Sequence, residues 1–204
     1  MKPVRLAILG LGTVGGGALK LLQENAAEIK RRTGREIQIT HVGTRRPRPD
    51  LNLDGIQQSD DLMHIVRQPD VDVVVEVMGG IHPAYEVIME AIKHGKQVVT
   101  ANKALLAEHG NELFKAAEDN AVQIAYEAAV AGGIPIIKVI REGLAANHIE
   151  WLAGIINGTG NFILTEMREK GRAFEDVLKE AQELGYAKAD PTFDVEGIDA
   201  AHKL

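Results

Sequence analysis

The sequence contains no cysteine, few aromatic residues and no excess of positive charge. Without cysteine there is no disulfide, no thiolate metal site and no cysteine nucleophile. Aromatic residues make up 4% of the 204 residues, whereas hydrophobic residues make up 45% and charged residues 25%. This composition predicts a well-packed α/β core of aliphatic side chains, with room for one domain and part of another.

The charge balance and the short apolar runs argue against two classes of partner. A formal net charge of -6 provides no basic patch for nucleic acid or for an anionic membrane. The N-terminal run "VRLAILG" is too short to span a bilayer, lacks a small-residue cleavage site and leads directly into a glycine motif. We therefore expect a cytoplasmic protein that binds a small polar molecule, with no nucleic acid and no membrane as partner.

Short apolar runs alternate with helical patterns over the first 130 residues or so. Strands are predicted at Val4 to Leu9, at Ile37 to Val42, and within "VDVVVEVMGG", "QVVT" and "AVQIAYEA". The first helix is predicted from Thr13 to about Arg32; the residues on its buried stripe are Val14, Ala18, Leu21, Leu22 and Ile29. Strands that alternate with helices predict a doubly wound parallel sheet.

The stretch "GLGTVG" places Gly10, Gly12 and Gly15 in the G-x-G-x-x-G spacing between a predicted strand and a predicted helix. In a Rossmann-like fold the first glycine allows a tight turn, and the second lets backbone N–H groups approach a pyrophosphate. The third lets the helix pack closely against the strand. The alternative is a tight strand-to-helix turn without a ligand.

The end of the second predicted strand carries Thr44, Arg45 and Arg46, where an NAD-specific site usually has an acidic residue. Guanidinium groups suit a 2′-phosphate, so we favour NADP over NAD, with NAD still possible. Two solvated loop arginines are the alternative.

Three further groups each have a functional and a structural interpretation. Lys103 opens a predicted helix, where the helix dipole disfavours a cation, at the sheet edge where ligands bind; otherwise it is a surface lysine. Asp199 and Lys203 share a helix face, either as a surface ion pair or as a lysine controlled by a carboxylate. Glu127 precedes a glycine-rich turn, either structural or a source of carbonyl ligands for a hard cation.

The alternation of strands and helices is lost after about Ala128, where glycines crowd among apolar residues. We place a boundary near residues 130 to 138. This divides the chain into a dinucleotide-binding domain over residues 1–133 and a second domain over residues 134–204.

Assembled in order, these residues resemble homoserine dehydrogenase along essentially the whole chain. The resemblance rests on "GLGTVGGG", "VMGG", "TANKALLA", "YEAAVAGGIPII", "GIINGTGNFIL" and "LGYAKADPTFDVEGIDAAHKL". It implies that the second domain is the incomplete start of an α+β substrate and dimerisation domain, and that the full-length enzyme is a homodimer. It also implies interconversion of L-homoserine and L-aspartate 4-semialdehyde with NAD(P), a step in threonine, methionine and isoleucine biosynthesis.

The resemblance further implies roles for individual residues. Lys203 is expected to be the general acid/base, Asp199 to help position the substrate, and Lys103 to lie between cofactor and substrate. Expected cofactor contacts are Gly10, Leu11, Gly12, Thr13, Val14, Gly15, Arg45, Arg46, Gly79 and Lys103. Expected substrate contacts are Lys188, Asp199, Gly158 and Thr159, with Asn157 in the same loop. Expected sodium ligands, mostly backbone oxygens, are Glu127, Val130, Gly132 and Ile134.

Two features depart from the family pattern. Lys188 stands where the family usually has a glutamate that contacts the substrate, which places amino-acid recognition in question. Family members also continue well past the helix that carries Lys203, so we expect a fragment in which this lysine is poorly supported and its helix frays. Two alternatives therefore stay open: an NADP-binding module without turnover, and a related oxidoreductase that acts on another small carbonyl substrate.

Overall fold

In the computed structural model, which describes residues 2–204, the chain divides between Gly133 and Ile134 into two units. The first unit begins with β1 (Val4–Leu9), α1 (Thr13–Glu24), α2 (Ala26–Thr33), β2 (Ile37–Gly43), β3 (Gln57–Ser59) and α3 (Leu62–Val66). It continues with β4 (Val73–Glu76), α4 (Ala84–Lys93), β5 (Gln97–Thr100), α5 (Lys103–Asp119), β6 (Ile124–Ala125) and α6 (Glu127–Val130).

The strands form one sheet in the order β3-β2-β1-β4-β5-β6, and every neighbouring pair is parallel. The predicted Rossmann-like, doubly wound sheet is therefore confirmed. The chain reverses its direction of travel across the sheet between β1 and β4, and in such sheets ligands bind at that point, outside the carboxyl ends of the strands.

The apolar side chains of β1 serve both faces of the sheet. Ala7 and Leu9 belong to a core cluster that includes residues of α3, α4 and α5, whereas Leu6 and Ile8 belong to a second cluster with Leu19 of α1. Successive side chains of a strand point to opposite faces, and a strand covered on both faces needs an uninterrupted apolar run. The sequence of β1 meets that requirement.

The structure corrects the predicted first helix. It ends at Glu24 and a second helix starts at Ala26, because Asn25 leaves helical geometry and its side-chain Nδ2 donates a 2.9 Å hydrogen bond to the Leu21 carbonyl. Val14 and Leu21, placed on the buried stripe by the sequence pattern, are 56% and 57% exposed. The buried residues of α1 are Gly15, Gly16 and Leu19, so a glycine face packs inward.

The sequence pattern also missed β3 and α3, which lie within residues 56–70, where it predicted neither a strand nor a helix. The strand β3 is the polar triplet Gln57–Ser59, so no apolar run marks it, and only its pairing with β2 makes it a strand.

The second unit contains α7 (Ile136–Lys138), a π-helical turn (Val139–Gly143), α8 (Gly158–Lys170), α9 (Phe174–Glu183), α10 (Thr192–Val195) and α11 (Ile198–Lys203). Its small core consists of Ile163, Val177, Ala181 and Ala187. Among residues 2–204, no helix combines the length and the apolarity that crossing a bilayer requires.

Candidate functional site

The loop between β1 and α1 uses its three fingerprint glycines in three different ways. Gly10 has φ +98°, and a Cβ there would lie 2.9 Å from the Val77 carbonyl oxygen. A Cβ at Gly15 would lie 1.8 Å from the Gly10 carbonyl oxygen, so α1 packs directly against the loop. At Gly12 a Cβ would meet no atom within 4 Å. The first and third glycines are thus required by the fold, whereas the second faces open space in which a ligand fits.

A cleft of about 680 Å³ lies beside this loop. Its walls come from the glycine loop, from the segment after β2 and from the segment after β4. The lining residues are Gly10, Leu11, Gly12, Gly43, Thr44, Arg45, Arg46, Arg48, Asp60, Leu62, Val77, Met78, Gly79, His82 and Pro83. The first turn of α1 has no acidic residue, so its N–H groups and the helix dipole favour an anion there.

Most of the predicted cofactor residues meet in this cleft. Those on its walls are Gly10, Leu11, Gly12, Arg45, Arg46 and Gly79. Thr13 and Val14 are exposed on the first turn of α1, Gly15 is buried beneath the loop, and Lys103 is the first residue of α5. Arg48 lines the cleft but was missed, although a third arginine in "TRRPRP" was a visible signal.

Glu76, at the end of β4, was also missed, and it is fully buried. Its Oε1 accepts a 2.8 Å hydrogen bond from the Met78 backbone N–H, and its Oε2 accepts a 2.7 Å bond from the Thr100 hydroxyl. The carboxylate thereby joins the ends of β4 and β5. The signal in the sequence was one acidic residue inside the apolar run "VVVEV".

Asn102 extends this network to α5. Its backbone N–H donates to Thr100 Oγ1 at 3.0 Å, and its side-chain Nδ2 donates to the Gly80 carbonyl at 2.6 Å. Its Oδ1 accepts from the Leu105 N–H at 3.2 Å, which makes it the N-cap of α5. The residues that border the cleft after β4 are therefore tied to the helix that begins with Lys103.

In the second unit, Lys203 lies in a cluster of polar groups. Its Nζ donates a 2.5 Å hydrogen bond to the Ile156 carbonyl and is 2.8 Å from Asp199 Oδ2. The Lys203 and Asp199 side chains are 23% and 15% exposed, which is more enclosed than a surface ion pair. The expectation of a poorly supported lysine is wrong, because the Ile156 carbonyl, 47 residues away in the sequence, and the Asp199 carboxylate hold its ammonium group.

Asn157 organises the carboxylates of this cluster. Its Nδ2 donates to Asp199 Oδ2 at 3.0 Å and to Asp194 Oδ1 at 2.8 Å, while its Oδ1 accepts from the Gly160 N–H at 2.6 Å and caps α8. One amide thus holds two carboxylates, of which Asp199 is paired with Lys203. Asp194 was not among the predicted site residues.

The remaining predicted substrate residues lie nearby in sequence but have other contacts. Gly158 and Thr159 begin α8, and the Thr159 hydroxyl donates to the Tyr186 carbonyl at 2.7 Å. Lys188 is exposed in the loop after α9, where its carbonyl accepts from the Gln182 side chain at 3.1 Å. Their roles in substrate binding stay predictions.

The predicted sodium ligands divide between the two units. Glu127 is the first residue of α6 and Val130 is its last, whereas Ile134 begins the second unit. The Glu127 carbonyl accepts from the Ala131 N–H, and the Ile134 carbonyl accepts from the Ile136 N–H, so each already has a partner. No group of three His, Cys, Asp or Glu side chains converges as a metal site within residues 2–204. Sodium at Glu127, Val130, Gly132 and Ile134 stays a prediction.

Comparison with known families bears on both units. A family model described as "Homoserine dehydrogenase, NAD binding domain" matches residues 10–127, and one described as "Homoserine dehydrogenase" matches residues 135–204. The chain belongs to the homoserine dehydrogenase family. This confirms the resemblance inferred from the motifs.

Individual homoserine dehydrogenases agree with this assignment. The enzyme of Pseudomonas aeruginosa is 62% identical over 204 residues, and the match covers 100% of this chain and 47% of that relative. The enzyme of Bacillus subtilis is 43% identical over 206 residues, and the match covers 100% of this chain and 48% of that relative. The crystal structure of a homoserine dehydrogenase from Thiobacillus denitrificans matches with a TM-score of 0.90 at 60% identity, covering 100% of this chain and 47% of that one.

A hyperthermophilic archaeal homoserine dehydrogenase in complex with NADPH matches with a TM-score of 0.83 at 28% identity, covering 99% of this chain and 67% of that one. Our chain spans about half the length of the curated homoserine dehydrogenases that it matches.

Proposed function

We propose that this chain belongs to an NAD(P)-dependent oxidoreductase that interconverts L-homoserine and L-aspartate 4-semialdehyde, with Lys203 as the general acid/base. The observation that carries the proposal is the position of Lys203 Nζ, held at 2.8 Å from Asp199 and at 2.5 Å from the Ile156 carbonyl. A lysine that moves protons needs a fixed position beside groups that influence its charge.

The first unit has the features that a dinucleotide requires. Open space at Gly12 and the N-terminus of α1 suit a pyrophosphate, and Arg45 and Arg46 at the end of β2 suit a 2′-phosphate, which favours NADP. Asp60 also lines the cleft, and a carboxylate there suits the ribose hydroxyls of NAD. A bound nicotinamide ring supplies or accepts the hydride.

The chain's own residues transfer the proton and bind the substrate. In the reductive direction Lys203 Nζ donates a proton to the oxygen of the developing alkoxide, and in the oxidative direction Nζ accepts the hydroxyl proton. Asp199 and Asp194, held by Asn157, offer carboxylates to the ammonium group of an amino-acid substrate. Lys188 adds a cation to this part of the chain, so it weakens recognition of that ammonium group if the two lie close together.

The finer assignments are part of the same proposal. Residues 1–133 serve as the dinucleotide-binding domain and residues 134–204 as part of the substrate domain. The whole enzyme is a homodimer, which sedimentation analysis would test. A sodium ion bound at the predicted oxygens would make the activity depend on sodium concentration.

The test of catalysis is Lys203→Met in the whole enzyme. Loss of general acid/base catalysis should lower kcat by a factor of about 10² to 10⁴, while the affinity for NADP⁺ is unchanged. Lys179→Met is the control, because Lys179 is an exposed residue of α9. Near-normal turnover by the Lys203 variant would exclude the proposed role.

A second hypothesis is that the chain is an NADP-binding module without turnover. It is supported by the fact that every residue lining the cleft lies in the first unit. Calorimetric binding of NADP⁺ by the 204-residue chain, together with no aldehyde reduction, would favour it.

A further inference from the structure

Arg48 differs in position from the two arginines that precede it. Arg45 and Arg46 are exposed, whereas the Arg48 side chain is 27% exposed. Its Nη1 lies 3.5 Å from the Gly12 carbonyl oxygen, and a Cβ added at Gly16 would lie 3.4 Å from its Nη2. The guanidinium group of Arg48 therefore lies against the glycine loop and the first turn of α1.

Asp50 holds this guanidinium group in place. Arg48 Nε donates to Asp50 Oδ1 at 2.9 Å and Nη2 donates to Oδ2 at 2.7 Å, a bidentate pair. These bonds lower the pKa of Asp50 to about 2, so the pair stays ionised around neutral pH. Pro47 and Pro49 on either side restrict the backbone, and the Leu51 N–H closes a turn onto the Arg48 carbonyl at 3.1 Å.

The pair with Asp50 uses Nε and Nη2, which leaves Nη1 on the side of Gly12. The 3.5 Å distance between Nη1 and the Gly12 carbonyl oxygen is longer than that of a good hydrogen bond. Nη1 can therefore donate a stronger hydrogen bond to an acceptor that comes closer. The space at Gly12 is open, and the adjacent N-terminus of α1 attracts anions. An anionic oxygen that enters this space meets backbone N–H groups and a preorganised guanidinium donor together.

We propose that Arg48 is a further cofactor-binding residue, which binds the pyrophosphate of the dinucleotide and not the 2′-phosphate. The inference rests on the proposed function, since it assumes that the cleft takes a dinucleotide. Because Asp50 neutralises much of its charge, Arg48 acts through a directed N–H donor, whereas Arg45 and Arg46 act as exposed cations.

Two ligands separate these roles. NADP⁺ carries both the pyrophosphate and the 2′-phosphate, whereas adenosine 2′-monophosphate carries the 2′-phosphate alone. Calorimetry on the 204-residue chain would give the affinity for NADP⁺, and displacement of NADP⁺ would give the affinity for adenosine 2′-monophosphate. Loss of one charge-assisted hydrogen bond corresponds to a roughly 10-fold weakening or more.

We expect Arg48→Gln to weaken NADP⁺ binding about 10-fold and to leave adenosine 2′-monophosphate binding within about twofold. Arg48→Lys should weaken NADP⁺ almost as much, because lysine cannot make the bidentate pair with Asp50 and reach toward Gly12 at once. Replacement of both Arg45 and Arg46 by Gln should weaken both ligands. Arg32→Gln, an exposed arginine on α2 paired with Glu28, is the charge-matched control.

The outcomes distinguish the two levels of the proposal. If the unaltered chain binds neither NADP⁺ nor NAD⁺, the proposed function fails. If it binds NADP⁺ but Arg48→Gln behaves like Arg32→Gln, or weakens both ligands equally, the role of Arg48 at the pyrophosphate is overturned. Full rescue by lysine would overturn the directed-donor role. The far-UV circular dichroism and thermal transition of each variant show whether a loss of binding reflects unfolding.

Discussion

Thr100 connects the carboxylate network of the first unit, and replacing it by valine should destabilise that unit even though valine is more apolar. Thr100 is fully buried; its hydroxyl donates to Glu76 Oε2 at 2.7 Å and accepts from the Asn102 N–H at 3.0 Å. Valine has nearly the same shape but neither donates nor accepts a hydrogen bond. It therefore leaves the buried Glu76 Oε2 and the buried Asn102 N–H without these partners.

The size of the effect follows from these two bonds. A hydrogen bond to a charged group contributes about 1.5–3 kcal/mol and a neutral one about 1 kcal/mol. Burial of the added methyl group of valine offsets about 0.8 kcal/mol of this loss of stability. We therefore expect Thr100→Val to lower the free energy of unfolding by about 2–3 kcal/mol. Thr100→Ser keeps both bonds and loses one methyl group, so it should cost only about 1 kcal/mol.

Urea denaturation followed by far-UV circular dichroism would measure both variants. A serine variant less stable than the valine variant, or a valine variant as stable as the unaltered chain, would refute the reasoning.

Two further predictions concern the glycine loop and the ion pair between Arg5 of β1 and Asp72, which directly precedes β4. Gly15→Ala should abolish NADP⁺ binding or folding, because its Cβ would lie 1.8 Å from a backbone oxygen; calorimetry and circular dichroism would show which. The pKa of the Asp72 carboxyl is lowered to about 2 by its hydrogen bonds with Arg5, so the ionised pair stabilises the fold above the usual pKa of 3.8 and is lost as pH falls through 2. The stability difference between the unaltered chain and Asp72→Asn should therefore shrink between pH 4 and 2; a difference independent of pH in acid denaturation would contradict this.

The sequence by itself determined the class of the fold and the place of the glycine loop beside the cleft. Uninterrupted apolar runs specify buried parallel strands, and the glycine spacing specifies a turn that few other residues allow, so both follow from short stretches. The N-cap at Asn102 is local in the same sense, because capping depends on a neighbour three residues away.

Only the tertiary structure decided which polar groups meet. Glu76 and Thr100 are 24 residues apart, Arg48 lies 36 residues from Gly12, and Asn157 lies 42 residues from Asp199. Local periodicity carries no information about such pairs, since they depend on strand order and on how loops return to the sheet. Burial then determines which of these contacts has consequences, because a polar group removed from water needs the partner that the fold brings to it.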